Sequence, residues 1–526
     1  MKIIQNIKTY VVLVVLLILS SCSNFLDINA DPNNPTDAPL RQILPGAQVQ
    51  IGYNLGNVTG GLSNAASTFV HQIVSFRVDQ YEITGDYVNN TWFGLYTALN
   101  NLEIIINKGQ ASGDFKYVGI AKIMKAYTFS IMVDLFGDIP YSEALKGEQN
   151  QAPRFDDDKQ IYNSLFGVID EGIADLGKPG GLLPGSDDLI YRGDIDKWRR
   201  FAKTLKLKMY NQIRLEQNVT QQLTALINEK EDLITEQDDF ELPYGTSTTP
   251  PNRNPGFLAE YAGGSRESFV SRWFYDIMRG QNAQILSGIS DPRIPYYFYN
   301  QKTNTAPEGA ASYQDGRFIT RLFGTPGAGG NVTNLQTLHG LYPIGGRYDD
   351  GTGGAATGTS GPGNVAQRLL PYFNRKFIEA EIGLTLGVGD AREALESGIR
   401  AAFNKVNRIA AAVPANIQTV PQIPASAITA YVTSILALYD AATNEQKLEI
   451  IITQKWIANY GFGIDSYTDF RRANYPRLYV PNATDQTISA NPFPLRFPYR
   501  NVDLKTNPNA PAQANVYTDK IFWDVN

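Results

Sequence analysis

Cysteine is almost missing from this chain of 526 residues, which contains only Cys22. One thiol excludes internal disulfides and thiolate metal clusters. Histidine is nearly as scarce: His71 and His339 are far apart, and neither stands in an H-E-x-x-H pattern. No catalytic zinc site is indicated. The sequence also has no G-x-S-x-G elbow and no G-x-x-x-x-G-K-[ST] loop, so the local signatures of a serine hydrolase and of a nucleotide cradle are both lacking. There is no excess of positive charge; 46 basic residues against 52 acidic ones give a formal net charge of −6. That balance argues against a nucleic-acid partner. The longest N-terminal apolar run, Tyr10 to Leu19, falls short of the roughly 20 residues that a spanning helix needs.

That run nevertheless has the layout of a secretory signal, because Lys2 and Lys8 precede it and Ser20 and Ser21 follow it. Leu19-Ser20-Ser21-Cys22 is similar to a bacterial lipobox, in which cleavage precedes the cysteine and its thiol is acylated. Residues 1–21 are therefore expected to be a lipoprotein signal peptide, and Cys22 the lipid anchor; two or more acyl chains hold a protein at a membrane without a spanning helix. Residues 22–39, rich in Asn, Asp and Pro, read as a tether.

From residue 40 to residue 526 the signal is helical. Ile120, Ile123, Met124, Tyr127, Ile131 and Leu135 recur at helical spacing, and Gly137-Asp138-Ile139-Pro140 breaks the run. A second helix follows, capped by Asp156 or Asp157 with Gln160 placed to complete a capping box, and striped by Ile161, Leu165, Ile169, Ile173 and Leu176. Upstream, Trp92, Leu95, Leu99, Leu102 and Ile106 form a stripe that Asn107-Lys108-Gly109 should end. A further helix between Asp194 and Gln217 buries Trp198, Phe201, Leu205 and Met209, while Lys197, Arg199, Arg200, Lys203, Lys206 and Arg214 crowd its other faces; the basic face reads as solvated or interfacial. Helical pairs return after Leu370, one of them capped by Thr443 with Gln446. Between about 240 and 368 periodicity weakens and glycine recurs, so this stretch reads as an irregular insertion. The expected fold class is mainly α, with tetratricopeptide-like helix pairs and a loop-rich, ligand-binding insertion.

Several collinear strings carry a more specific signal: "DLFGDIPYSEAL" from Asp134, "RFDDDKQIYNSL" from Arg154, "SDPRIPYY" from Ser290, "PYFNRKFIEAEIGLTLG" from Pro371 and "QKWIANYGFGIDSYTDFRRANYPRL" from Gln454. Together they resemble the SusD/RagB family of Bacteroidetes outer-membrane lipoproteins. The resemblance implies a cell-surface, lipid-anchored protein that is not an enzyme and needs no cofactor. It would capture oligosaccharide or peptide nutrients and deliver them to a SusC-like TonB-dependent transporter. A helix-repeat scaffold that binds only proteins and a surface glycosidase are the alternatives. For the glycosidase, two carboxylates need only converge in space; the nearest local pair, Asp349-Asp350, reads more simply as solvated or calcium-binding.

Aromatic residues are the remaining clue, with 29 Tyr, 25 Phe and 5 Trp. Trp273, Tyr296 and Tyr299 flank the Asp291-Pro292-Arg293 turn, outside the helical stripes. Flat rings suit the C–H faces of sugars, which makes these three the candidate ligand contacts; the competing reading is a core cluster under the loops.

Overall fold

A computed structural model describes residues 38–75, 78, 80–264, 266–301, 313–314, 318–325, 336–485 and 487–526. Cys22, the signal segment, most of the tether and Gly327–Gly330 lie outside the described residues. The chain is mainly α, as its periodicity predicts. The N-terminal half contains α1 (Leu40–Leu55), α2 (Leu62–Phe69), α3 (Asn89–Ser112), α4 (Phe115–Phe136), α5 (Asp158–Gly177), α6 (Ile195–Ile213) and α7 (Thr220–Asn228). After the insertion, whose longest α-helix is α8 (Arg272–Met278), come α9 (Tyr372–Leu386), α10 (Ala391–Ala411), α11 (Ala425–Ala441), α12 (Asn444–Ala458) and α13 (Ile464–Ala473). Helix α3 packs on α1, and α4, α5 and α6 pack each on the one before, while α9 packs on both α6 and α12 and so joins the two halves.

Helices α4 and α5 approach closely because glycines meet where they cross. A Cβ on Gly119 would stand 2.7 Å from the Gly172 carbonyl oxygen, and one on Gly172 would stand 2.8 Å from Ile123. Asp157 is the cap of α5, accepting from the Gln160 N–H at 2.9 Å. Asp156 instead accepts from the N–H groups of Tyr141 and Ser142 and holds the preceding corner closed. The full capping box expected there is not formed, whereas at α12 Thr443 and Gln446 form both of its bonds. Helix α3 also runs further than expected. Gly109 is buried inside it against Val118 of α4, and the stop is Gly113, whose φ of 80° suits a residue without a side chain.

Acids on neighbouring elements neutralise the basic flank of α6. Arg200 pairs with Asp238 at 2.7 Å, Lys203 with Asp232 at 2.6 Å and Lys206 with Asp170 at 2.6 Å. That face is a solvent-facing seam of intramolecular ion pairs rather than a free polyanion-binding surface.

The strings that resemble the SusD/RagB family meet in the polar core. Glu381 of α9 accepts from Arg472 through both oxygens, at 3.0 and 2.7 Å, and from Arg214 at 2.8 Å. Asp291 holds Arg293 in a buried fork, with the Arg293 guanidinium 4.6 Å from the Phe403 ring centre. Arg471 donates to the Asp134 carbonyl at 2.6 Å, and the Trp523 indole N–H donates to the Asp134 carboxylate at 2.9 Å.

Burial raises the Asp134 pKa to about 7, with Lys208 and Arg471 opposing the rise. The folded value exceeds the unfolded value near 3.8, so the associated stability is complete below that value and is lost as pH rises towards 7. Asp134→Asn keeps an acceptor for Trp523. It should flatten the fall in melting temperature across that window, and parallel melting profiles for the variant and the parent would contradict this assignment.

Candidate functional site

Helix α1 buries Leu40, Leu44, Ala47, Ile51 and Leu55, leaving Val49 and Tyr53 on its outer side, where the Tyr53 side chain is 65% exposed. Asn54 faces the other way, into α3, where a Cβ on Gly94 would stand 2.4 Å from its oxygen. That close approach brings the N-terminus of α3, with Asn90 and Thr91, beside Tyr53. The turn after α1 doubles back through Asn57, whose oxygen accepts from the N–H and hydroxyl of Thr59 at 2.9 and 2.8 Å. Gln367 donates to the Gly56 carbonyl and Asn57 to Asn254 at 3.2 Å, so the insertion closes the far wall.

Between these elements lies a cavity of about 270 Å³ whose walls include Tyr53, Asn57, Thr59, Asn90, Tyr244 and Gln367. The Tyr53 and Tyr244 hydroxyls and the Asn90 amide form no hydrogen bond with any described residue. Burial raises the Tyr244 pKa above its ordinary value, and its phenol, like any tyrosine's at neutral pH, keeps its proton to donate. An exposed ring face beside unengaged amide and hydroxyl groups is complementary to a sugar, which offers C–H surface on its ring faces and hydroxyls around its edge.

The rings singled out from the sequence lie elsewhere. Tyr296 and Tyr299 are buried: Tyr296 donates to the Pro421 carbonyl at 2.6 Å, and Tyr299 to the Gly353 and Gly354 carbonyls at 2.9 and 2.8 Å. Neither presents a ring face to solvent, because both rings fill the space under the loops of the insertion. Trp273 is half-buried, donates to the Arg477 carbonyl at 2.9 Å and lies 5.9 Å from the Tyr479 ring. Tyr479 helps to line a separate cavity of about 340 Å³ with Tyr81, Phe470 and Phe493, where the polar side chains are few. The three rings therefore do not converge on one site.

A signal for Tyr53 was present in the sequence, since it breaks the apolar stripe of α1 on its polar side. Pro45 within that segment disguises the helix, and a lone tyrosine carries little weight until α3 and the insertion are seen around it.

Catalytic chemistry has little to build on among the described residues. His71 and His339 are both fully buried, His71 between Tyr81 and the Tyr479 N–H, and His339 against Glu260 at 2.5 Å. Asp350 turns to Arg347 at 3.0 Å while Asp349 caps the Gly351 N–H, so the adjacent acids diverge. Asp138, Asp157 and Asp158 do converge, yet each caps backbone N–H groups of the corner or of the C-terminal segment.

Among the described residues no helix is long and apolar enough to cross a membrane. No curated protein matches the sequence. Solved structures match over nearly the whole chain. A SusD/RagB family protein from Bacteroides thetaiotaomicron superposes with a TM-score of 0.65 at 21% identity, covering 93% of this chain and 99% of its own. A chitin-binding SusD homologue from Flavobacterium johnsoniae gives 0.65 at 20% identity, covering 92% and 99%. A SusD homologue from Parabacteroides distasonis gives 0.69 at 20% identity, covering 93% and 98%. At these identities the superpositions establish the fold. The SusD-like family model, described as starch-binding and associating with the outer membrane, matches residues 32–500, and the chain therefore belongs to the SusD-like family.

Proposed function

We propose that this protein captures oligosaccharides in the Tyr53 cavity at the outer membrane and delivers them to a SusC-like TonB-dependent transporter, without chemical turnover. The observation that carries the reading is the cavity itself, where the exposed Tyr53 ring and hydroxyl stand beside the Asn90 amide and the Tyr244 hydroxyl, none of them partnered among the described residues. The starch-binding description of the family and the chitin-binding homologue support a glycan over a peptide. Anchoring through Cys22 and a flexible tether would place the site at the cell surface and let it close over a barrel.

Tyr53→Ala removes ring area that is mostly solvent-exposed. It should leave the melting temperature unchanged and weaken oligosaccharide binding by about fivefold or more, the equivalent of roughly 1 kcal/mol. Trp273→Ala is the parallel variant, since its half-exposed ring is the remaining candidate of the three chosen from sequence. Calorimetric titration with starch and chitin oligomers decides between them: undiminished affinity in Tyr53→Ala contradicts the proposed site, and sugar released during titration contradicts the absence of turnover.

A further inference from the structure

A larger cavity of about 530 Å³ shares a wall with the first. Pro243 lines one and Tyr244 the other, and consecutive Cα atoms are about 3.8 Å apart. Behind them, a Cβ on Gly52 of α1 would stand 2.5 Å from Leu242, so the 240–242 strand lies directly against that helix. One turn back along α1, Gln48 accepts from the N–H of Leu189, which lines the larger cavity, at 2.8 Å.

The larger cavity is charged, and its charges pair off except at one position. Glu236 is held by Arg408 at 2.6 Å, Asp239 by Lys405 at 2.9 Å and Glu241 by Lys405 at 2.6 Å. Lys197 stands 3.8 Å from Asp238. Arg192 alone among the charged lining residues has no partner among the described residues, and it is exposed. Its position is nevertheless built. The Arg192 backbone is held at a φ of 54°, an uncommon conformation for a residue with a side chain. Asp188 enforces it: its carbonyl accepts from the Arg192 N–H at 3.0 Å, and its buried carboxylate accepts from the Gly193 N–H at 2.9 Å, Gln48 at 2.7 Å and Trp198 at 2.7 Å.

We propose that the two cavities bind one ligand, an oligosaccharide carrying an anionic substituent, with sugar rings against Tyr53 and the anion on the Arg192 guanidinium. The guanidinium presents a planar fork that matches a carboxylate, and a sulfate ester offers the same acceptor chemistry. This rests on the reading of the Tyr53 cavity as a glycan site and adds the class of glycan. The chain's net negative charge does not oppose it, because at physiological salt charges beyond about 8 Å are screened.

The test titrates the detergent-solubilised full-length protein with a neutral glucan hexasaccharide, a galacturonan hexasaccharide and a sulfated galactan hexasaccharide. Arg192→Gln should weaken one or both charged ligands about tenfold at physiological salt and leave the neutral one unchanged. Dependence confined to the galacturonan or to the sulfated galactan identifies the substituent. Arg192→Gly removes the charge while relieving the left-handed backbone, so a similar loss in a fully folded variant assigns the effect to the guanidinium. If both variants bind every charged ligand as the parent does while Tyr53→Ala weakens the neutral one, the anion site is overturned and the glycan site stands. If Tyr53→Ala changes nothing, the glycan site itself is overturned.

Discussion

Glu381→Ala is expected to destabilise the protein by about 3–5 kcal/mol, because it strands two buried guanidinium groups. Arg472 and Arg214 both close on this carboxylate, and all three side chains are buried. Burial alone would raise the Glu381 pKa, but the two arginines outweigh it and hold the group below its ordinary range. The glutamate is thus charged throughout the neutral range, and its removal leaves buried positive charges with Asp469 as the remaining acid beside them among the described residues. Replacing Glu381 and Arg472 together by methionine should cost less than the two single changes combined, since the pair's desolvation disappears with it. Urea unfolding of Glu381→Ala, the two single methionine variants and the double variant measures this, and a loss under about 1 kcal/mol for Glu381→Ala would show that the cluster relaxes into solvent.

Tyr299→Ala should act on stability alone. Its ring is fully buried, and its hydroxyl satisfies the carbonyls of Gly353 and Gly354 in the glycine-rich loop. Truncation opens a cavity and removes the one donor that the Gly353 and Gly354 carbonyls share, for an expected cost of roughly 3–5 kcal/mol. Affinity per folded molecule should be unchanged. A variant that melts normally but binds poorly would mean that the ring is reached by ligand when the loop opens.

These two residues show what was legible in the sequence. Helix pairs could be read from Ile120–Leu135 and Ile161–Leu176 because apolar spacing reports directly on which face is buried. The family strings were equally legible, and the structure shows what they encode: Asp134, Asp291, Arg293, Glu381, Arg471 and Arg472 build the polar core, where each group needs a defined partner. They specify the scaffold and contribute no residue to the lining of the Tyr53 cavity. Binding sites of this kind need only exposed rings and free polar groups, which impose no periodicity. Tyr299 illustrates the converse error: an aromatic outside a helical stripe was as compatible with a loop-rich core as with a ligand, and burial decides between them. Tyr53, by contrast, becomes informative only once Asn90 of α3 and Tyr244 of the insertion are brought beside it by folding.

The most direct measurement of the binding claim is a crystal structure of the protein soaked with a starch or chitin oligosaccharide. The expected result is a sugar ring stacked on Tyr53 with its hydroxyls on Asn90 and Tyr244. Ligand density against Trp273 and Tyr479, with the Tyr53 cavity holding only solvent, would contradict it.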